Sequence, residues 1–192
     1  SMRPVDRFNL ISFNESTDRL FDRSVEATEE NLAAAQRYVD ERHGGGGTEM
    51  KNAVLLALER SHREFTFGAD RNEQGVRSRY VLFVTDGEIG NDDAVIEAVR
   101  EASQATKVFP IGIGNSPNRS LLDGMAKAGR GVADYLSIEG NATEILDRFI
   151  ARIDRPLLTN VSLELSPGLE LIETIPPIDA LPDLMDDAPL VI

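Results

Sequence analysis

Cysteine and tryptophan are absent from the 192-residue chain, and histidine occurs only twice. Without cysteine there is no disulfide, no thiolate metal site and no cysteine nucleophile, and the redox compartment is left open. His43 and His62 stand beside no serine or carboxylate at the spacing of a nucleophilic dyad, and both read as surface residues at helix ends. Basic residues are scarce, 20 Lys plus Arg against 33 Asp plus Glu, for a formal net charge of −13. Such a surface repels phosphate backbones and anionic membranes, so nucleic acid is not an expected partner. No apolar run has the length of a membrane span, and Ser1-Met2-Arg3-Pro4 lacks the apolar core of a signal peptide, so membrane insertion by this chain is not expected. What remains is ordinary: 41% hydrophobic and 28% charged residues, at a length that allows one domain with a sizeable core plus an appendage.

Arg79 to Asn91 combines a place in the fold with a chemistry. Tyr80-Val81-Leu82-Phe83-Val84 is a continuous apolar run, which predicts a strand buried on both faces. It stops at Thr85-Asp86-Gly87, a turn at the carboxyl end of the strand, where open α/β sheets bind ligands. Asp86 is therefore a functional candidate, and turn chemistry is its simpler reading.

Along the chain, Arg7 to Phe13 reads as one strand, Asn14 to Asp18 as a turn, and Leu20 to Val25 as an antiparallel partner. Thr28 caps a helix with Glu29 and Glu30 in its first turn and Leu32, Ala35, Tyr38 and Val39 facing inward, ending at His43. Gly44 to Gly47 cannot continue it cheaply. A second helix follows Thr48, with Met50, Val54, Ala57 and Leu58 inward, to about Arg63. Beyond the loop 68–78 and the organising strand come three more elements of helix and two of strand. These are a helix opened by Asn91-Asp92-Asp93 with Val95, Ile96, Val99 and Ala102, a strand Lys107–Ile113, and a helix with Leu121, Leu122, Met125 and Ala128. A short strand Val132–Leu136 and a helix capped by Asn141 complete the series, the helix with Ile145, Leu146, Phe149, Ile150 and Ile153 inward. The alternation predicts an α/β fold, a doubly wound, mostly parallel sheet with helices on both faces. Val161–Leu165 and Leu169–Ile175 read as a β-hairpin about Ser166-Pro167-Gly168, and 176–192 as an extended tail. Four Asn-x-Ser/Thr sequons, at Asn14, Asn118, Asn141 and Asn160, read as chance and helix capping.

Three phosphate-binding readings fail on particular residues. The glycine run lacks the Gly-Lys pair of a P-loop, Pro117 replaces the third glycine of a dinucleotide fingerprint, and Val84 stands where a phosphatase would carry a second aspartate. Gly46-Gly47-Thr48 together with Thr85-Asp86-Gly87 is more specific. A threonine hydroxyl and an aspartate carboxylate are hard oxygen ligands of the kind Mg²⁺ takes in small number. A cap at Thr48 and a turn at Asp86 explain the same residues without an ion.

The blocks Asp6-Arg7-Phe8-Asn9-Leu10-Ile11-Ser12-Phe13, Gly46-Gly47-Thr48, Val81-Leu82-Phe83-Val84-Thr85-Asp86-Gly87-Glu88 and Val108-Phe109-Pro110-Ile111-Gly112-Ile113-Gly114 follow one another as in a von Willebrand factor type A domain. The resemblance, nearest to the inter-alpha-trypsin inhibitor heavy chains and their bacterial relatives, covers residues 1–156. Arg155-Pro156-Leu157-Leu158-Thr159 resembles the exit into a following region, here 157–192. The resemblance implies a metal-ion-dependent adhesion site in which Thr48 and Asp86 are ligands, with Gly46, Gly47, Gly87 and Glu88 around them. It also implies an Asp-x-Ser-x-Ser motif on a first, central strand, and no such motif occurs in the chain.

The family pattern thus places the first strand and helix upstream of Ser1, and Ser1-Met2 reads as a cloning remnant. A sheet truncated at the N-terminus would carry an open slot, filled by the tail near Leu190, by a second copy exchanging a strand in a homodimer, or by partial collapse. By resemblance the function is non-enzymatic, a cation-dependent adhesion or protein-binding module of the cell surface, extracellular space or periplasm. Its Mg²⁺ (or Mn²⁺ or Ca²⁺) would receive an acidic side chain of a protein partner, and this chain alone would bind the ion weakly. The alternatives are a phosphatase or nucleotide hydrolase using Asp86, and a metal-independent structural or assembly domain.

Overall fold

The computed structural model describes residues 2–42, 50–59, 79–85, 92–102, 106–137, 139–154, 161–166, 168, 170, 172, 174, 181 and 184. The chain divides into two compact units, residues 1–78 and 79–192.

In the first unit, β1 (Arg7–Phe8) pairs antiparallel with β4 (Val25–Glu26), and β2 (Ile11–Phe13) with β3 (Thr17–Arg19). The expected hairpin is present, but each arm is broken in two and the second begins at Thr17, earlier than its apolar residues indicated. Asn9 makes the break: its side-chain oxygen accepts from the Leu10 and Phe21 amides at 2.9 and 3.1 Å, and its Nδ2 donates to the Phe21 carbonyl at 2.8 Å. A side chain here takes hydrogen bonds that a backbone rung would make. The polar turn is self-contained, with Asn14 Oδ1 accepting from the Ser16 amide at 3.0 Å. Phe8 and Phe21 meet edge to face at 6.0 Å.

Helix α1 (Glu29–Asp40) is capped by Thr28, whose hydroxyl accepts from the Asn31 amide at 3.2 Å. It ends before His43, which lies outside the described residues. Its inward face differs from expectation: Ala35 is buried, whereas Leu32 and Val39 are exposed. The Tyr38 phenol determines the orientation, donating to the Asp18 carbonyl at 3.2 Å and lying 2.8 Å from the Ser12 hydroxyl, which holds that side of α1 to the hairpin. Helix α2 (Met50–Leu58) buries Met50, Ala53, Val54 and Leu58. It ends at Leu58, Glu59 being outside the helix, short of the expected end near Arg63; residues 60–63 lie outside the described residues.

The second unit contains a parallel sheet in the order β5 (Arg79–Thr85), β6 (Thr106–Ile113), β7 (Asp134–Leu136). With it run α3 (Asp92–Ala102), α4 (Arg119–Ala128) and α5 (Ala142–Asp154). Side chains of β6 alternate between two helical layers. A Cβ on Gly112 would meet Leu122 of α4, and one on Gly124 would meet Ile96 of α3, which puts α3 and α4 together over one face. Phe109 points the other way, to Phe149 of α5 at 5.3 Å and Tyr80 at 6.1 Å. The helices do cover both faces, as the alternation of elements predicted.

Two expectations are corrected in this unit. The strand buried on both faces is β6, all of whose residues from Val108 to Gly112 are buried; β5 is the terminal strand of the three and leaves Val84 42% exposed. On α5, Ile145 is buried and Phe149 and Ile153 are half-buried, but Leu146 and Ile150 are exposed. Residues 161–166, 170, 172 and 174 are outside any strand and Gly168 has φ +91°, while the other positions of the expected hairpin, among them 167, 169, 171, 173 and 175, lie outside the described residues. The tail docks at Leu181, which is fully buried and whose carbonyl accepts from Arg130 Nε at 2.8 Å. Leu190 lies outside the described residues.

Candidate cation site

Thr48, Asp86 and the surrounding Gly46, Gly47, Gly87 and Glu88 lie outside the described residues. Their immediate neighbours are described. Met50, two residues past Thr48, is fully buried at the start of α2. Thr85, which precedes Asp86, is the buried last residue of β5, in register with Gly112 of β6. The strand therefore ends where the aspartate follows, at the carboxyl end of the sheet.

That end is built by three short segments. After β6 the chain turns at Gly114, with φ +103° and its amide bonded to the Leu136 carbonyl at 2.8 Å. A left-handed residue here favours glycine. Asn118 then caps α4, its Oδ1 accepting from the Leu121 amide at 3.1 Å. The same side chain reaches sideways: Nδ2 donates to Asp92 Oδ2 at 2.9 Å, joining the first residue of α3 to the cap of α4. The other Asp92 oxygen, Oδ1, is buried and has no hydrogen-bond partner among the described residues. A buried carboxylate oxygen without a donor is a cost of roughly 1–3 kcal/mol that most proteins avoid. The helix macrodipole at α3's N-terminus offsets part of it.

Elsewhere in the unit, charge serves the packing. Asp134 on β7 is buried and receives Arg152 of α5, also buried, together with the half-exposed Arg148 at 3.6 Å. Lys107 on β6 is pushed down to about 8 by burial and, secondarily, by the neighbouring charge of Arg130. The Tyr135 phenol is pushed up by burial first, then by its hydrogen bond to the Asp123 carboxylate and that carboxylate's charge, while Arg119, stacked over its ring, opposes the shift.

Among the described residues no group of three or more acidic or histidine side chains is placed to hold a metal ion. The donor types at Thr48 and Asp86 suit Mg²⁺ or Mn²⁺, and two protein oxygens leave further coordination places for water or for other ligands. Sequence reasoning saw Asp92 as a helix cap and Asn118 as a sequon, and missed that they are joined. It also missed the Asp134, Arg148 and Arg152 cluster.

Residues 1–135 match the family model of the von Willebrand factor type A domain. The chain belongs to this family. Mouse inter alpha-trypsin inhibitor, heavy chain 4, is 32% identical over 173 residues, which is 85% of this chain and 18% of that protein. The other two of the first three curated relatives are von Willebrand factor A domain-containing proteins of Dictyostelium discoideum, of which the chain spans 16% and 7%. Among solved structures, a von Willebrand factor type A protein of Catenulispora acidiphila has a TM-score of 0.58 at 18% identity, over 70% of this chain and 30% of that one. Proximal thread matrix protein 1 of the mussel byssus, with a zinc-occupied MIDAS motif, has a TM-score of 0.51 at 19% identity, over 73% of this chain and 33% of that one. These likenesses establish the von Willebrand factor A fold for most of the chain.

Proposed function

We propose that this von Willebrand factor A chain is a divalent-cation-dependent protein-binding or adhesion module and not an enzyme. Asp86 and Thr48 are its own ligands to Mg²⁺ (or Mn²⁺ or Ca²⁺), directly or through water. Gly46 and Gly47 let the backbone approach the ion, and Gly87 and Glu88 form the rim. One observation carries the reading: β5 ends at Thr85, at the carboxyl end of a parallel sheet in a member of this family, so that Asp86 follows at the end where open α/β sheets bind ligands. The partner is a protein presenting an acidic side chain, which occupies a place that the chain's two oxygen donors leave vacant. The setting is extracellular, at a cell surface or in a periplasm, a reading supported by the likeness to an inter-alpha-trypsin inhibitor heavy chain.

Because the chain contributes few ligands, calorimetric titration with Mg²⁺ or Mn²⁺ is expected to give binding weaker than micromolar, abolished in Asp86→Ala. Micromolar or tighter binding that depends on Asp86 would show that the site is complete as it stands. Phosphate release from generic phosphoesters, lost in Asp86→Ala, would overturn the non-enzymatic reading.

A further inference from the structure

Two arginines among the described residues lie over a tyrosine ring, each with its guanidinium carbon 3.9 Å from the ring centroid: Arg42 over Tyr38 and Arg119 over Tyr135. Arg42 also reaches a carboxylate, Asp18 Oδ2 at 3.0 Å, so its charge is used inside the chain. Arg119, at the start of α4, is exposed, and among the described residues no oxygen accepts from its guanidinium. Asp123, one turn along the same helix, accepts from the Tyr135 phenol instead.

The platform under Arg119 is held at root, flank and tip. Tyr135 stands on β7 in one rung with Gly112 of β6 and Thr85 of β5, at the carboxyl end of the parallel sheet. Its ring fills space that a side chain on Gly112 would need: a Cβ there would lie 3.0 Å from Tyr135 Cδ1 and 2.8 Å from Pro117 Cβ. The phenol donates to the Asp123 carboxylate and lies 3.5 Å from the Arg119 backbone carbonyl. Stacking then orders the guanidinium, and a side chain already ordered gives up less freedom on binding. The fork of an arginine matches the two oxygens of a carboxylate. The nearby Asp123 carboxylate and the balance of −13 oppose a multiply charged anion, whereas one acidic side chain brings a single charge. Arginine and tyrosine are also the residue types that concentrate at the centres of protein interfaces.

We propose that the Arg119–Tyr135 stack is a recognition point for a carboxylate side chain, aspartate or glutamate, of an acidic protein segment. The contact takes no metal ion, and it stands or falls apart from the reading of Asp86 as a cation ligand.

The test is an NMR titration of the isotope-labelled chain in EDTA at low salt, followed at the arginine Nε–Hε signals. The probe is acetyl-Gly-Glu-Gly-amide, with acetyl-Gly-Gln-Gly-amide and inorganic phosphate as comparisons. The expected result is a saturating shift at Arg119 with the glutamate peptide, none with the glutamine peptide and a weaker response to phosphate. Arg119→Lys keeps the charge and loses the fork, and should weaken binding roughly three-fold or more. Tyr135→Leu removes the platform under an unchanged arginine and should weaken it by a similar factor. No shift at Arg119, or an equal shift at the exposed Arg19 and Arg23, would overturn the proposal. Undiminished binding in Arg119→Lys would do the same. A response to phosphate as strong as that to the peptide would overturn the choice of a protein carboxylate. None of these outcomes bears on Mg²⁺ at Asp86, which the calorimetric titration reads separately.

Discussion

Single residues in the second unit carry charge states that the sequence does not announce. Lys107 lies on a strand buried at nearly every other position, and burial, reinforced by Arg130, brings it down to about 8 from an ordinary 10.5. Between those two values the folded chain has released a proton that the unfolded chain still holds, so stability rises with pH across that window. Tyr135 acts in the opposite sense. Its phenol is raised above the ordinary 10.0, so the folded chain keeps a proton that the unfolded chain loses, and this contribution is whole below pH 10 and fades above it. Urea midpoints followed by circular dichroism should therefore climb above about pH 8 and turn over above pH 10. Lys107→Met should flatten the climb, and Tyr135→Phe should remove the phenol's share of the decline. A profile identical in wild type and Lys107→Met would contradict the depressed lysine.

At the scale of elements, α5 is fastened by its polar residues as well as its apolar ones. Arg152 falls seven residues after Ile145, on the helical face that meets the sheet, and ends in a buried pair with Asp134 of β7. Removing one partner of a buried pair leaves the other charge uncompensated, at about 3–5 kcal/mol. Asp134→Ala should thus lower the unfolding free energy by that order. Arg148→Ala, at the exposed and longer contact, should cost under about 1 kcal/mol. Equal effects of the two in chemical denaturation would refute this division.

The same helix shows what the sequence could disclose. The caps at Thr28, Asn118 and Asn141, the last with Oδ1 accepting from the Thr143 amide at 3.1 Å, and the three strand positions of the parallel sheet follow from local chemistry, and local chemistry is written in consecutive residues. The inward assignment of Leu146 and Ile150 failed because helical spacing gives a wide apolar stripe, and contact with β7 and Phe109 uses only the half bearing Ile145 and Phe149. Val84 misled in a related way: a run of five apolar residues records a strand's preference for burial but not how many neighbours the strand has. In the candidate site, Thr48 and Asp86 were legible as donor types, while the Asp92–Asn118 bridge joins residues 26 apart and has no local signature.

For the molecule as a whole, the balance of −13 sets the long-range behaviour. Self-repulsion within a compact body lowers its stability, and about 0.1 M salt screens charges more than about 10 Å apart. The thermal midpoint in the absence of divalent ions should therefore rise between about 0.01 and about 0.15 M NaCl. A flat or falling midpoint would mean that local ion pairs outweigh the net field. The chain spans under a fifth of the length of its first curated relatives. Pro110 governs a different global property, the alignment of the sheet. The amides of Val108 and Gly114 point toward β7, to Gly129 and Leu136, so by alternation position 110 faces the same side, where proline has no hydrogen to give. Beside it the incoming chain passes so close that a Cβ on Gly131 would lie 2.1 Å from the Val108 carbonyl oxygen. A two-residue slip of β7 toward the start of β6 would preserve the alternation of faces and hence the apolar match, and composition alone would tolerate it. It would also aim a carbonyl at the proline nitrogen. Pro110 is thus a stop against mispairing, and the observed register is the one in which the Leu136 carbonyl meets the Gly114 amide.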